Sequence, residues 1–208
     1  MYRRSDSAST LAPAVAAGLA FAAVARVAAA DEPTQLDHAL HDLATASYRR
    51  WFELLQLPIE LAGYPGAYIP LAALGTARLR RRGVRGGNAI LTAACGGWLA
   101  LRVARLVYRR VRPPRPSHRG PKAESSFPSG HTTGLTSSAV AAATILARHG
   151  ILSRRSARLL GVGVPLVTGF NRVYVREHWA TDVIGGWLLG VAVGLSCVWA
   201  SSLRSARA

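Results

Sequence analysis

Two histidines, an aspartate and three arginines stand in this 208-residue chain at spacings that suit phosphoryl transfer. His178 and Asp182 are four residues apart at the start of a predicted helix, so they share one face. An imidazole can attack phosphorus if it is neutral and held in one tautomer, and an adjacent carboxylate does that holding. Arg105, Arg112 and Arg172 offer the bidentate guanidinium groups that phosphoryl oxygens require. Ser129 and Gly130 open another predicted helix, and the backbone N–H groups of a helix start attract anions. His131 follows directly and can donate a proton to a leaving alkoxide. Because arginines supply the electrostatic stabilisation, this chemistry calls for no metal and no cofactor.

Each piece has a plainer reading. Ser-Gly-His is a common entry into a helix, with Ser as N-cap. His-x-x-x-Asp is more often a surface hydrogen bond, and an arginine at the end of a span usually snorkels to the headgroups. The combination carries more weight. Arg105–Pro113, Pro128–His131 and Arg172–Asp182 follow in order and map to one side of an apolar helical bundle. Charged groups at membrane depth are costly and by default functional.

The elements that must position these groups are six candidate membrane spans: Leu11–Ala30, Leu57–Ala77, Ala89–Tyr108, Gly130–Ala147, Leu159–Val175 and Trp179–Ala200. The expected fold is therefore all-α, an integral membrane bundle forming a single domain over 1–208. Its motif-bearing core is 105–182, with the span 11–30 and the segment 31–56 appended. Pro58, Pro65, Pro70 and Glu60 predict a kinked or tilted second span. Ser and Thr enrich the fourth, as in a helix packed among helices. Asp31–Gln56 carries apolar residues at roughly helical spacing, which suits an amphipathic helix at the membrane surface or a helix covering the bundle.

Five arginines in Arg78–Arg85, four in Arg148–Arg158, and Arg3, Arg4, Arg204 and Arg207 near the termini all fall on one side of a six-span bundle. The positive-inside rule makes that side cytoplasmic, both termini included, and puts the motifs on the extracytoplasmic face. One outer loop breaks the rule: Arg109–Phe127 carries Arg109, Arg110, Arg112, Arg115, Arg119 and Lys122 against Glu124. An anion site would account for it.

The formal net charge of +16 would suggest nucleic acid in a soluble protein, but the basic residues sit in short clusters between apolar stretches. Nucleic-acid binding is thereby disfavoured. The Arg-rich, Ala-rich composition, with Lys122 as the one lysine, points to a GC-rich bacterial coding genome. Cys95 and Cys197 lack metal-ligand spacing and read as small buried packing residues. The run after Arg3 and Arg4 is long enough to span, and further spans follow, so it reads as an uncleaved first helix.

Together the three segments resemble the signature motifs of the type 2 phosphatidic acid phosphatase family, which includes the vanadium haloperoxidases. Pro128-Ser129-Gly130-His131 matches the second motif in full. Arg105 stands in the place of the first motif's Lys, followed after six residues by Arg112-Pro113. Asn171-Arg172, His178 and Asp182 form the third, with Asn171 in the place of a Ser. The resemblance implies His178 as nucleophile, Asp182 as its orienter and His131 as acid/base. Arg105, Arg112, Arg172, Ser129 and the Gly130 N–H are implied as phosphate binders.

The implied activity is hydrolysis of a membrane lipid phosphate or diphosphate through a phosphohistidine. Undecaprenyl diphosphate leads, with phosphatidic acid or phosphatidylglycerol phosphate close behind. The partners expected are that lipid and the membrane itself. Two alternatives stand beside it: a vanadate-dependent haloperoxidase, disfavoured by the spans and length, and a catalytically silent membrane phosphate binder. Arg109, Arg110, Arg115, Arg119 and Lys122 fit no motif role; they either attract anionic headgroups or form a solvated loop. His38, His41, His118 and His149 read as surface residues, and Gly185 and Gly186 as close-packing positions.

Overall fold

The computed structural model describes residues 5–30, 32–49, 51–114 and 125–205, and in them the chain is helical without strands. In order these are α1 (Ser5–Ala28), α2 (Gln35–Ser47), α3 (Phe52–Gly63), α4 (Pro65–Arg81), α5 (Asn88–Val107), α6 (Gly130–Arg148), α7 (Arg154–Arg158), a π-helical turn (Leu159–Gly163), α8 (Val164–Tyr174) and α9 (Ala180–Ser205). Arg3, Arg4, Arg115, His118, Arg119, Lys122, Glu124 and Arg207, weighed above, lie outside the described residues.

α9 is the hub. It packs against α1, α5 and α6, while α6 also meets α3, α4, α5 and α8. Tyr68 and Ala72 of α4, Ala93 and Ala94 of α5, Ala141 and Ile145 of α6 and Val198 of α9 form the main apolar core. Ala25 and Ala28 of α1 cover Phe127 in a second, smaller one. Around this core the outward faces stay apolar: Val15 and Leu19 on α1, Leu71 and Leu74 on α4, Leu99 and Leu106 on α5, and Phe170 on α8 are all exposed. Apolar surface on that scale suits lipid rather than water.

Among the described residues, Thr10–Ala28, Asn88–Val107 and Ala180–Arg204 are long and apolar enough to cross a membrane. The other three expected spans are present as helix but are shorter or more polar. The second is not one rod. It breaks between Gly63 and Pro65, where Tyr64 is extended (φ −77°, ψ 139°). A residue before proline avoids the helical region, and Pro65 then starts α4, where its missing N–H costs nothing. The fifth begins earlier than expected, at Arg154, and widens into the π turn just before Pro165, which has no N–H to donate. Cys95 is exposed on α5, which corrects its reading as a buried packing residue; Cys197 is half-buried.

α6 is packed among helices as its composition suggested, with Thr132, Thr133, Thr136 and Ser137 fully buried. The close approach is made by α9 glycines. A Cβ on Gly186 would lie 3.0 Å from the Ser129 carbonyl oxygen, one on Gly190 2.6 Å from Thr136 Cβ, and one on Gly194 2.7 Å from the Ser137 carbonyl oxygen. Gly185 faces the Phe127 ring instead. Gly190→Ala would gain about 1 kcal/mol of helix propensity but lose about 1–3 kcal/mol to overpacking. The clash is partly with backbone, 2.9 Å from the Thr133 carbonyl oxygen, so the loss prevails. A lowered thermal midpoint in detergent is expected for Gly190→Ala. Gly18→Ala on α1, where an added methyl meets nothing within 4 Å, should leave it unchanged or raised; equal shifts in the two would refute this packing account.

Candidate active site

The α8–α9 connection delivers His178. α8 ends in a Schellman arrangement: the Glu177 N–H donates to the Arg172 carbonyl at 3.0 Å and the Arg176 N–H to the Val173 carbonyl at 2.9 Å. The left-handed position of this motif is usually glycine, yet Arg176 holds it at φ 57°. Its guanidinium lies 4.5 Å from the centre of the Tyr48 ring, a cation–π contact that helps hold the strained turn.

From this turn the buried His178 ring faces two kinds of group. Its Nδ1 is 3.5 Å from Asp182 Oδ2 and 3.4 Å from the Ser126 hydroxyl. Its Nε2 is 3.3 Å from Arg112 Nη1, and that nitrogen also donates to the Glu177 carbonyl at 2.7 Å. Burial pushes the His178 pKa down to about 4; Asp182 pulls it up, and the charges of Arg112 and Arg105 push it further down. The imidazole is therefore neutral near pH 7, as a nucleophile must be. The preference for the neutral form stabilises the fold fully above the ordinary histidine value of 6.5, and is lost as pH falls from there toward about 4.

Asp182 is fully buried and well supplied with donors. Oδ2 accepts the Trp179 N–H at 2.9 Å and the Ser126 hydroxyl, and Oδ1 accepts Arg110 Nη1 at 2.7 Å. Its backbone carbonyl accepts the Ser129 N–H at 3.0 Å, tying the start of α6 to the start of α9.

The expected phosphate binders gather around this pair. Arg105 donates to the Pro128 carbonyl at 3.3 Å through Nη2, and a Cβ on Gly130 would lie 3.3 Å from that same nitrogen. The guanidinium thus rests against the start of α6, where a side chain at Gly130 would crowd it. Arg172 is buried and donates through both Nε and Nη2 to the Asn171 carboxamide oxygen. A neutral acceptor aims the guanidinium without cancelling its charge, which gives Asn171 a physical role in the place of the family's Ser. Ser129 occupies the N-cap position of α6, but its hydroxyl pairs with Thr132 Oγ1 at 2.9 Å and not with the helix backbone. His131 is fixed by α3: its Nε2 donates to the Glu60 carbonyl at 3.1 Å and its ring lies edge-on to Tyr64, with centroids 5.1 Å apart. Gly63 is what admits that ring, since any Cβ there would overlap it.

Sequence reasoning missed four participants. Ser126 bridges Asp182 and His178, three residues before Ser129. Arg110, Asp37 and Thr181 form a buried cluster with Asp182. The signal for Arg110 was present, as one of the basic residues that break the positive-inside rule. His38 is exposed, as a surface residue would be, and His41 is half-buried; their rings lie 5.7 and 5.5 Å from that of Trp179, next to His178. His149 is exposed and meets the Arg85 carbonyl, as a surface residue would.

The model of the PAP2 superfamily matches residues 86–205. An undecaprenyl-diphosphatase of Sulfolobus acidocaldarius is 40% identical over 65 residues, covering 31% of this chain and 28% of that protein. A decaprenylphosphoryl-5-phosphoribose phosphatase of Mycobacterium tuberculosis is 29% identical over 133 residues, covering 61% of this chain and 67% of that protein. The crystal structure of a transmembrane PAP2 type phosphatidylglycerolphosphate phosphatase from Bacillus subtilis superposes with a TM-score of 0.76 at 23% identity, covering 88% of this chain and 93% of that one.

Proposed function

This chain belongs to the PAP2 superfamily, and from that premise we propose that it is a membrane phosphatase removing phosphate from a polyprenyl-linked phosphate or diphosphate by way of a phosphohistidine. The observation that carries the reading is His178, held at Nδ1 by Asp182 and presenting Nε2 beside Arg112. Nε2 forms the N–P bond as the P–O bond to the lipid-side oxygen breaks, and His131 protonates that oxygen. Water then gives a proton to His131 and its oxygen to phosphorus, the N–P bond breaks, and inorganic phosphate and neutral His178 are restored. Arg105, Arg112 and Arg172 hold the phosphoryl oxygens throughout, with Ser129 and the Gly130 N–H at the start of α6.

Two observations favour a long apolar tail. Two of the three proteins named above act on polyprenyl compounds by name, while the one of solved structure is named for a glycerolipid. An apolar cleft of about 450 Å³ between α2, α8 and α9, lined by Leu40, Leu43, Phe170, Val173, Val183 and Trp187, opens beside the His178 turn. Arginine-rich connections Arg78–Arg85 and Arg148–Arg158 favour a cytoplasmic opposite side, and hence an extracytoplasmic site.

The test is phosphate release by purified protein in detergent with EDTA. The substrates are undecaprenyl diphosphate, decaprenylphosphoryl-5-phosphoribose carrying its 5-phosphate, phosphatidic acid and phosphatidylglycerol phosphate. Release is expected to be fastest on one of the polyprenyl pair and insensitive to EDTA. Preference for a glycerolipid would overturn the substrate class, and absence of release from all four would overturn the hydrolase reading.

A further inference from the structure

The amphipathic helix α2 reaches into the reaction centre through one buried carboxylate. Asp37 is 1% exposed, and its Oδ2 accepts Arg110 Nη2 at 2.8 Å. The other arm of the same guanidinium, Nη1, donates to Asp182 Oδ1 at 2.7 Å and to Thr181 Oγ1 at 2.6 Å. Thr181 closes the ring, giving its N–H to Asp37 Oδ1 at 2.8 Å and its hydroxyl to Asp37 Oδ2 at 2.9 Å. Asp37 is also the third helical residue of α2 and completes a capping box with Thr34, whose N–H it accepts at 3.0 Å. Although burial would raise the Asp37 pKa, the donors of Thr181, Arg110 and Thr34 together hold it below the ordinary value, so this carboxylate is charged at neutral pH.

One guanidinium is thus shared by two carboxylates, and the sharing has a consequence for His178. A guanidinium given wholly to Asp182 would saturate that carboxylate and weaken its hold on the imidazole. Removal of the guanidinium would leave Asp182 a stronger but unanchored acceptor. We propose that Asp37 and Arg110 are positioning residues, with Asp37 drawing off part of Arg110 so that Asp182 is both fixed in place and free to orient His178. The inference rests on the assignment of His178 and Asp182 as nucleophile and orienter.

The experiment measures kcat and KM on undecaprenyl diphosphate in detergent micelles for wild type, Asp37→Asn, Arg110→Gln, Thr34→Ala and His178→Ala. In parallel, NMR follows the titration of His178. Asp37→Asn and Arg110→Gln are each expected to lower kcat by about 10- to 100-fold, the usual cost of losing a group that orients a reacting one, with KM changed by less than about 3-fold. Thr34→Ala, which removes the cap hydroxyl but leaves the Asp37–Arg110 pair, should keep the wild-type kcat. The His178 midpoint should rise in Arg110→Gln, because a cation that competes for Asp182 is gone, and should not rise in Asp37→Asn.

A kcat loss in Thr34→Ala equal to that in Asp37→Asn would show that only the docking of α2 matters, and would overturn the proposal. A His178 midpoint unmoved by Arg110→Gln overturns it too, and that readout needs no turnover. Phosphate release that survives His178→Ala overturns the reaction itself; its loss there beside wild-type kinetics in Asp37→Asn overturns this inference alone. Should Asp37→Asn fail to fold, Thr181→Val, which deletes only the bridging hydroxyl, carries the comparison: a fall in kcat at constant KM supports the cluster, and wild-type kinetics refute it.

Discussion

His178→Ala is expected to lower kcat by about 10⁴-fold or more, leaving only what phosphate binding and the surrounding arginines supply. The size of the effect follows from the geometry. His178 has the Asp182 carboxylate beside one ring nitrogen and Arg112 beside the other, the arrangement that attack on phosphorus needs. Protein stopped in alkaline detergent during turnover should retain phosphate in the wild type and none in His178→Ala. Retained phosphate in the variant would place the nucleophile elsewhere. His131→Ala should behave differently. An acid is needed when the leaving group is an alkoxide but much less when it is an aryl oxide, so a nitrophenyl phosphate should recover most of the first step in that variant.

Asp182→Asn is the second large effect, of about 10³- to 10⁴-fold in kcat. The carboxylate accepts at both oxygens, from Arg110 on one and from Trp179 N–H and Ser126 on the other. A carboxamide has one oxygen. If its NH₂ turns toward Arg110, two donors collide in a buried site. If it turns toward His178, it donates to Nδ1 and drives the ring proton onto Nε2, the nitrogen required for attack. Stability should fall as well, by about 3 kcal/mol, the low end for breaking a buried ion pair because Arg110 keeps Asp37. The check is kcat per folded molecule, with thermal melting of the same sample. A variant that melts early but turns over normally would refute the tautomer argument.

Much of this was legible in the residues. The three polar segments were readable because each breaks an apolar context, and the structure joins them through Arg112 to His178, Ser129 to Asp182 and Arg105 to Pro128. The Ser and Thr content of α6 read correctly as interior packing. The break at Tyr64–Pro65 was legible as a kink but not as two separate helices. What escaped was long-range and non-periodic. Asp37 is one acid among several in a polar stretch, and nothing local says that it will meet Arg110, 73 residues away. The turn at Arg176 was hidden for a similar reason: the left-handed position usually announces itself with glycine, and here the Tyr48 ring, just past the end of α2, helps hold an arginine in its place.

The stretch that matches the superfamily begins at residue 86, yet α1 lies along α9 and α2 contributes Asp37 beside Asp182. A minimal fragment cut at that family boundary would uncover Phe127, which α1 covers, and would strand Arg110 with a single carboxylate. Expression trimming and domain transplantation in this protein should therefore start upstream of α1; the recognisable module is smaller than the unit that works.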